Sequence, residues 1–552
     1  MNTTTSTLPK EKLSWWWRAK NSRWFLPGLA ATSVLLFWLS WPVLPFAPLL
    51  FAAFVPLLLM EQHIGQGGYK KPGRLLAGWW YLALLGWNGA TTWWVINSTL
   101  IGGVFANLAN AGLMLIPLFL FRYTKQRTGP WLGYLSFILY WITFEHIHLS
   151  WDLSWPWLTL GNAFAMHPEW VQWYEWTGVF GGSLWVLLGN VLIFLLFFYR
   201  QEAPRFSAKN LLPILLWILL PIAAGYIRYW GYEEKGIEQE IVILQPNIDP
   251  FTEKFAGSEN FIPYEEQVRR FMQSSQTQLT PSTDFLLWPE TAIDQAFDEA
   301  YLHQQPIIRE IKAFTRQYPK LSLLTGITSY GMYANAQVAP PTARFRDGIG
   351  YFDVFNTAYF VSEQLDSTYH KSKLVPGVEI MPYPQALSWL SETLFNLGGS
   401  SGGFGRQEER TVFYDSEGIG ISPSICYESV YGDFMAEFVR NGANYIFIIT
   451  NDGWWGNTAG HRQHFHYARL RAIENRRSIA RCANTGISGF MNQRGDVLQA
   501  TPYWEPAVIR GSIRANEQLT FYARYGDYLA RTAAWIAAFV LIAAFVRKRA
   551  KR

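Results

Sequence analysis

Three residues could carry acyl-transfer chemistry together, although each is weak evidence alone. Cys426 closes the apolar run GIGISPSICYE (418–428), Glu290 closes DFLLWPE (284–290), and Lys371 lies in TYHKSKLVP. A free thiol of pKa about 8.5 is only a few per cent thiolate at neutral pH, so a cysteine nucleophile needs a base. It also needs positive charge where a tetrahedral oxyanion forms. A carboxylate, an ammonium and a thiol supply those parts without a histidine. Taken singly, a cysteine in an apolar strand is a packed core residue, a strand-end glutamate is a cap, and a loop lysine is surface.

Elements that would position this set follow from the hydropathy pattern. EIVILQPN (240–247), DFLLWPE, LSLLTGIT (321–328), FNTAYFVS (355–362), GIGISPSICYE and NYIFIITND (444–452) read as strands, with helices over 264–278, 301–318 and 461–476. Several of these strands are apolar on both faces, as in sheets covered by layers on each side. Reactive residues at strand C-termini match the place where open α/β sheets put their sites.

The rest of the chain is a different material. Half of the 552 residues are apolar and 16% are charged, against roughly 25% charged in ordinary soluble domains. Lys plus Arg number 46 and Asp plus Glu 41, a net +5, so neither a disordered chain nor a nucleic-acid binder is expected. Two cysteines, Cys426 and Cys482, are too few for a disulfide framework or a thiolate metal cluster.

Apolar runs near 24–41, 43–60, 76–97, 99–121, 130–148, 179–199, 211–229 and 528–546 are each about long enough to cross a bilayer. Lys10 to Arg23 precede the first, Lys70 to Arg74 follow the second, Arg122 to Arg127 the fourth, and Arg200 to Lys209 the sixth. The intervening loops have no Lys or Arg. The positive-inside rule then predicts a cytoplasmic N-terminus, an external 230–527 domain and a returning last helix. Arg228, Lys235 and Arg531 are exceptions to it.

The predicted organisation is a basic tail (1–23), a seven-span region (24–229), a catalytic domain (230–527), a closing helix (528–546) and a second basic tail (547–552). A cleaved signal peptide at 24–41 would break the parity that the charges demand. The tryptophan-rich loop 149–178 is expected in the outer interface, with its indoles at headgroup depth. Glu145, His146 and His148 are expected as a solvated cluster at the end of the fifth run.

The set Glu290, Lys371 and Cys426 resembles the catalytic triad of the nitrilase superfamily. More specifically, LQPNIDP (244–250), LLWPET (286–291), YHKSKLVPGVEIMP (369–382), SICYE (424–428), TNDGWWG (450–456), QHFHYARLRAIENRR (463–477), ANTGISGF (483–490) and SWPWLTLG (154–161) closely resemble the apolipoprotein N-acyltransferase family. The resemblance spans essentially the whole chain. It implies an α-helical polytopic membrane domain of about eight spans joined to an α/β nitrilase-like αββα sandwich.

The resemblance also implies a function: transfer of an acyl chain from a membrane phospholipid, through a cysteine thioester, to the amino terminus of a lipid-modified apolipoprotein. Glu290 takes the place of the general base, Lys371 of the oxyanion-stabilising cation and Cys426 of the nucleophile. Glu379, Tyr427 and Glu428 fall on supporting positions, and a family tryptophan has no clean match, with Lys254 and Phe255 occupying its region. Leu374 to Glu379 transposes Gly and the apolar residue of the family's LVPFGE.

Substrate contacts are expected from Phe255, Trp389, Leu390, Trp454 and Trp455. The segment 380–408 reads as a membrane-dipping arm with a glycine hinge. His461, His464 and His466 are assigned to pocket walls and packing. No metal, no cofactor and no nucleic acid are expected, and the chain is expected to act as a monomer in the bacterial inner membrane. Two other readings are a membrane-tethered amidase, with water as acceptor, and a transporter with an external binding domain.

Overall fold

In the computed structural model, residues 15–199, 207–362, 366–383 and 403–547 are described. Apolar helices come first: α1 (Phe25–Ser40), α2 (Val55–Gln66), α3 (Pro72–Thr92), α4 (Leu100–Leu113), α5 (Leu115–Thr128), α6 (Pro130–Ile147), α7 (Val179–Ile193) and α8 (Ala208–Trp230). Among the described residues, five helical runs are long and apolar enough to cross a membrane: Ala47–Gln66, Leu100–Thr128, Val179–Phe197, Ala208–Trp230 and Tyr528–Val546. The run expected at 43–60 starts and ends later, because Pro48 opens a 3-10 turn, Ala47–Ala52, that feeds α2.

Glu61 explains how a carboxylate is tolerated in α2, since it pairs with Lys125 of α5. The corresponding exception among the cations is Arg228 near the end of α8. Its Nε donates to Glu175 at 2.5 Å, and Glu175 also accepts from Arg476 at 2.7 Å.

Two sheets form the second part. The strands are β1 (Ile237–Gln245), β2 (Thr283–Leu287), β3 (Ile293–Asp298), β4 (Ser322–Tyr333), β5 (Arg344–Arg346), β6 (Gly350–Val361), β7 (Ser367–His370), β8 (Phe413–Tyr414), β9 (Gly420–Ile425), β10 (Tyr445–Thr450), β11 (Ser478–Ala483), β12 (Gly489–Met491), β13 (Val497–Ala500) and β14 (Ala507–Ala515). One sheet runs β14-β1-β2-β4-β6-β5, with β3 on β4 and β7 on β6, and the other runs β13-β12-β11-β10-β9-β8. The central strands β1, β2 and β4, and likewise β9, β10 and β11, pair in parallel.

Alternation along β2 decides the layering. Phe285 meets Phe447 of the facing sheet edge-on at 5.2 Å. Leu286 points the other way, into a cluster with Val268 and Phe271 of α9 (Tyr264–Gln276) and Ile308 and Ile311 of α10 (Pro306–Thr315). Each full burial of such a side chain stabilises by about 1.5–3 kcal/mol. Helices α11 (Gly432–Arg440) and α12 (Ala459–Asn475) cover the second sheet, giving an αββα sandwich. The chain ends in α13 (Tyr528–Val546), packed on α6.

The loop 149–178 differs from its expected interfacial position. It folds into short 3-10 turns and a short helix, and Trp157 is 1% exposed. Trp157 Nε1 donates to Gln463 at 2.7 Å, while Tyr467 donates to the Trp157 carbonyl at 2.9 Å. With its ring N–H and its carbonyl both bonded to α12, Trp157 gains more from burial there than from headgroup contact. The loop is the mount on which the sandwich sits.

Of the cluster expected to be solvated, Glu145 and His148 are buried and His146 is half-buried. Glu145 accepts from Trp141 Nε1, the Leu160 N–H and Ser183 Oγ, and His148 bonds Asn110 and Trp151. Glu145 thereby caps the 3-10 turn Leu160–Phe164 of the mount.

Candidate active site

Cys426 stands directly after β9, at the first position of a 3-10 turn, with φ +52°. A non-glycine residue held in the left-handed region marks a constrained turn. Here the carboxylate of Glu428 holds it. One oxygen accepts from the Ile425 N–H at 2.8 Å, and the other from the Ser372 N–H at 2.7 Å and Tyr369 OH at 2.8 Å. Glu428 therefore ties the strand that delivers Cys426 to the loop that delivers Lys371.

Lys371 follows β7, and its N–H donates to the Asn356 carbonyl of β6 at 2.8 Å. Its ammonium is 1% exposed and donates to Glu290 Oε1 at 3.0 Å and Glu379 Oε1 at 2.8 Å. Burial by itself would expel the proton. The carboxylates of Glu290 and Glu379 outweigh it and hold the lysine well above its ordinary range.

Glu290 sits just beyond β2, at the C-terminal end expected for such a group. Its Oε1 also accepts from Asn356 Nδ2 at 2.8 Å, and its Oε2 from the Asn451 N–H at 3.0 Å. From behind, buried Lys254 donates to the Glu290 carbonyl at 3.0 Å. Burial lowers the Lys254 pKa to about 8. Gly326 of β4 is required here, because a Cβ on it would lie 2.3 Å from Thr291 N and 2.7 Å from Glu290 Cα.

The Cys426 thiol senses both partners. Burial, and then the Glu290 carboxylate, push it well above the ordinary thiol range, while Lys371 pulls it down. The resting sulfur is a thiol beside a carboxylate, with an ammonium poised nearby. That arrangement can move one proton from sulfur to oxygen and stabilise a new oxyanion.

Behind the sulfur is a buried set, of which the sequence reading assigned His464 to pocket walls and packing. His464 lies between Asp452 (3.0 Å from Nδ1) and the Cys426 carbonyl (3.1 Å from Nε2), and Arg481 pairs with Asp452. Despite burial, Arg481 and His464 keep the Asp452 carboxyl well below its usual range. Ligand atoms of Cys426, Asp452 and His464 lie within 4.8 Å of one another. The Asp452 oxygens, however, already accept from Arg481, Thr450 and the imidazole, so the donor set reads as a hydrogen-bond network. His461 instead stacks on Tyr503 at 3.9 Å.

Of the expected supporting residues, Glu379 and Glu428 join the set directly. Tyr427 turns toward the membrane part and donates to the Ser154 carbonyl at 3.0 Å. Phe255 stacks on Trp454 at 5.7 Å, whereas Trp455 packs on Trp94 and Trp157. Trp389, Leu390 and most of the 380–408 arm lie outside the described residues. Asn356 was missed, although it is a polar residue on the apolar strand FNTAYFVS.

An apolar cavity reaches Cys426 and Tyr427 from the membrane part. It is lined there by Gly102, Phe105 and Ala109 of α4, and by Val375 and Met381 of the sandwich. Phe105 is also 39% exposed on the outer side of α4, beside exposed Ile101, Val104 and Leu108. The cavity thus lies directly behind an apolar surface that suits lipid.

Comparison with known proteins agrees with this two-part architecture. Residues 33–192 match the model for the apolipoprotein N-acyltransferase N-terminal domain, and residues 259–519 match that for carbon-nitrogen hydrolase. An apolipoprotein N-acyltransferase of Chlorobaculum tepidum is 30% identical over 546 residues, covering 96% of this chain and 98% of that protein. One of Geobacter metallireducens is 28% identical, covering 94% and 95%. Among solved structures, yeast Nit3 of the nitrilase superfamily is 14% identical, with a TM-score of 0.34, covering 52% of this chain and 93% of that one. The Chlorobaculum tepidum relative, 30% identical and aligned across both the helical part and the sandwich, places this chain in the apolipoprotein N-acyltransferase family.

Proposed function

We propose that this bacterial membrane protein moves an acyl chain from a phospholipid to the amino terminus of a lipid-modified lipoprotein, through a thioester on Cys426. Glu290 accepts the Cys426 proton, and the thiolate attacks an ester carbonyl of the donor. Lys371, with a backbone N–H at Tyr427, stabilises the oxyanion. Glu290 then returns its proton to the departing glycerol oxygen, leaving a lysophospholipid and an acyl-enzyme. The acceptor amine attacks the thioester, and the nitrogen's surplus proton passes by way of Glu290 to the departing thiolate. An amide and the free thiol result.

The observation that carries this reading is the apolar cavity between α4 and the sandwich, which ends at Cys426. A soluble site would have to extract each lipid from the bilayer, at about 0.8 kcal/mol per CH₂. A cavity behind a lipid-facing helix avoids that transfer. Charge placement supports eight crossings with the sandwich on the periplasmic side of the inner membrane and both termini cytoplasmic.

Intact-protein mass spectrometry after mixing with phospholipid tests the reading. The wild type is expected to gain one acyl mass, and Cys426→Ala none. Fatty acid released to water at the rate of acyl transfer, with an acceptor amine present, would support an amidase instead. Activity retained by Cys426→Ala would remove the covalent mechanism altogether.

A further inference from the structure

A second, polar pocket of about 210 Å³ adjoins the apolar cavity. It lies between residues 150–154 of the mount and residues 372–376, 380 and 406–410 of the sandwich, and it shares Ser154 and Pro376 with the cavity. Water's share of liquid volume is about 30 Å³, so the pocket accommodates a group several times larger.

Three cations line it: Lys373, Arg406 and Arg410. The Lys373 ammonium donates to the Leu149 carbonyl at 3.3 Å and sits 4.9 Å from the Tyr431 ring centroid. Among the described residues, neither Lys373 nor Arg406 has a carboxylate within ion-pair distance. Arg410 donates to Ser372 Oγ at 3.1 Å, its Nε is 3.5 Å from Glu437, and that Nε makes no hydrogen bond. Burial, followed by the like charges of Arg410 and Arg406, lowers the proton affinity of Lys373 against the opposing pull of Glu428 and Glu437.

Two carboxylates, Asp152 and Glu408, share the pocket, and Asp152 accepts from the Tyr383 N–H at 3.3 Å. Glu428, the nearest buried carboxylate, is saturated by its four donors.

Lys373 is a half-buried cation with no ion-pair partner among the described residues, a costly placement that an anion would relieve, and guanidinium groups such as those of Arg406 and Arg410 recognise phosphate through paired N–H donors. In a glycerophospholipid the phosphorus is only a few bonds from the reacting ester carbonyl. With the acyl chains in the apolar cavity and the carbonyl at Cys426, the phosphodiester falls at the shared Ser154–Pro376 wall. We propose that Lys373, Arg406 and Arg410 form the phosphate subsite of the acyl donor. This rests on the reading above that a phospholipid loads Cys426. The acceptor's diacylglyceryl group has no phosphate, so the subsite distinguishes donor from acceptor at one cavity.

The test compares Arg406→Gln and Lys373→Gln with wild type in thioester formation from two donors. One is a phospholipid and the other is diacylglycerol with the same chains, each presented in neutral detergent micelles. Arg406 is exposed and makes no ion pair among the described residues, so its variant is expected to fold as the wild type does. Each variant is expected to raise the KM for phospholipid about tenfold, the value of one charge-assisted contact, while leaving kcat and the diacylglycerol reaction unchanged.

An unchanged phospholipid KM in both variants would overturn the subsite. So would an equal loss with both donors, or inhibition by inorganic phosphate in which the variants differ from wild type without any change in phospholipid KM. That last result would assign the pocket to free phosphate. Failure of the wild type to form a thioester from either donor would instead sink the proposed function.

Discussion

Glu290 carries two duties that pull in opposite directions, and they separate by experiment. As the proposed base it would be needed for acyl transfer. As a fixed negative charge, it raises the Cys426 pKa. Glu290→Gln is therefore expected to slow thioester formation steeply while shifting the pH midpoint of Cys426 alkylation downward. Lys371→Met removes the only cation that opposes burial at the sulfur in this set, so its midpoint moves upward. The wild-type midpoint itself lies above the ordinary thiol value of about 8.5. Alkylation by a small neutral reagent, followed by mass spectrometry across pH, reads all three. A wild-type midpoint below that of a free thiol would mean that Lys371, not burial, governs the resting sulfur. Removing the base or one oxyanion donor costs acyl transfer roughly 10²–10⁴-fold or 10²–10³-fold respectively.

At the scale of elements, the site depends on how closely β4 passes the end of β2. Gly326 lets the two backbones touch behind Glu290. Gly326→Ala would drive a Cβ into the Thr291 nitrogen and Glu290 Cα, and backbone has no rotamer with which to escape. The expected cost is about 1–3 kcal/mol of stability, with a fall in the single-turnover rate of thioester formation. Thermal unfolding and rapid-quench mass spectrometry measure the two effects separately. A variant with normal rate would show that the Glu290 strand end tolerates displacement. The left-handed backbone of Cys426 belongs to the same scale, because Glu428 fastens that turn to the Lys371 loop rather than to its own strand alone.

For the whole molecule, the question is what keeps the sandwich registered on the membrane helices. Glu175 of the mount sits between Arg228 of α8 and Arg476 at the end of α12, and both Glu175 and Arg476 are buried. Removing one partner of a buried ion pair costs about 3–5 kcal/mol, because the remaining charge is left uncompensated. Glu175→Gln strands two guanidinium groups and is expected to lower the thermal midpoint in detergent and to speed proteolysis near the mount. An unchanged midpoint would place the registry elsewhere, at the Trp157–Gln463 and Tyr467–Trp157 contacts. The positions of Cys426 and the α4 cavity relative to each other depend on that registry.

Local patterns determined much of this: apolar runs with basic flanks, strands ending in Glu290 and Cys426, and motifs that span both parts. Each of those signals resides within a short window, where hydropathy and residue type act directly on backbone choice. Asn356, Lys254, Asp452 and Arg481 were not legible, since each acquires its role by contacting a residue far away in sequence. The mount 149–178 was misread for a related reason. An aromatic loop looks interfacial until the partner that buries it is known, and that partner, α12, comes some three hundred positions later. Tertiary structure alone decided the shared Glu290–Lys371–Glu379 contacts and the meeting of an apolar cavity with a polar pocket, because charges and cavities act through distance in space, which chain order does not encode.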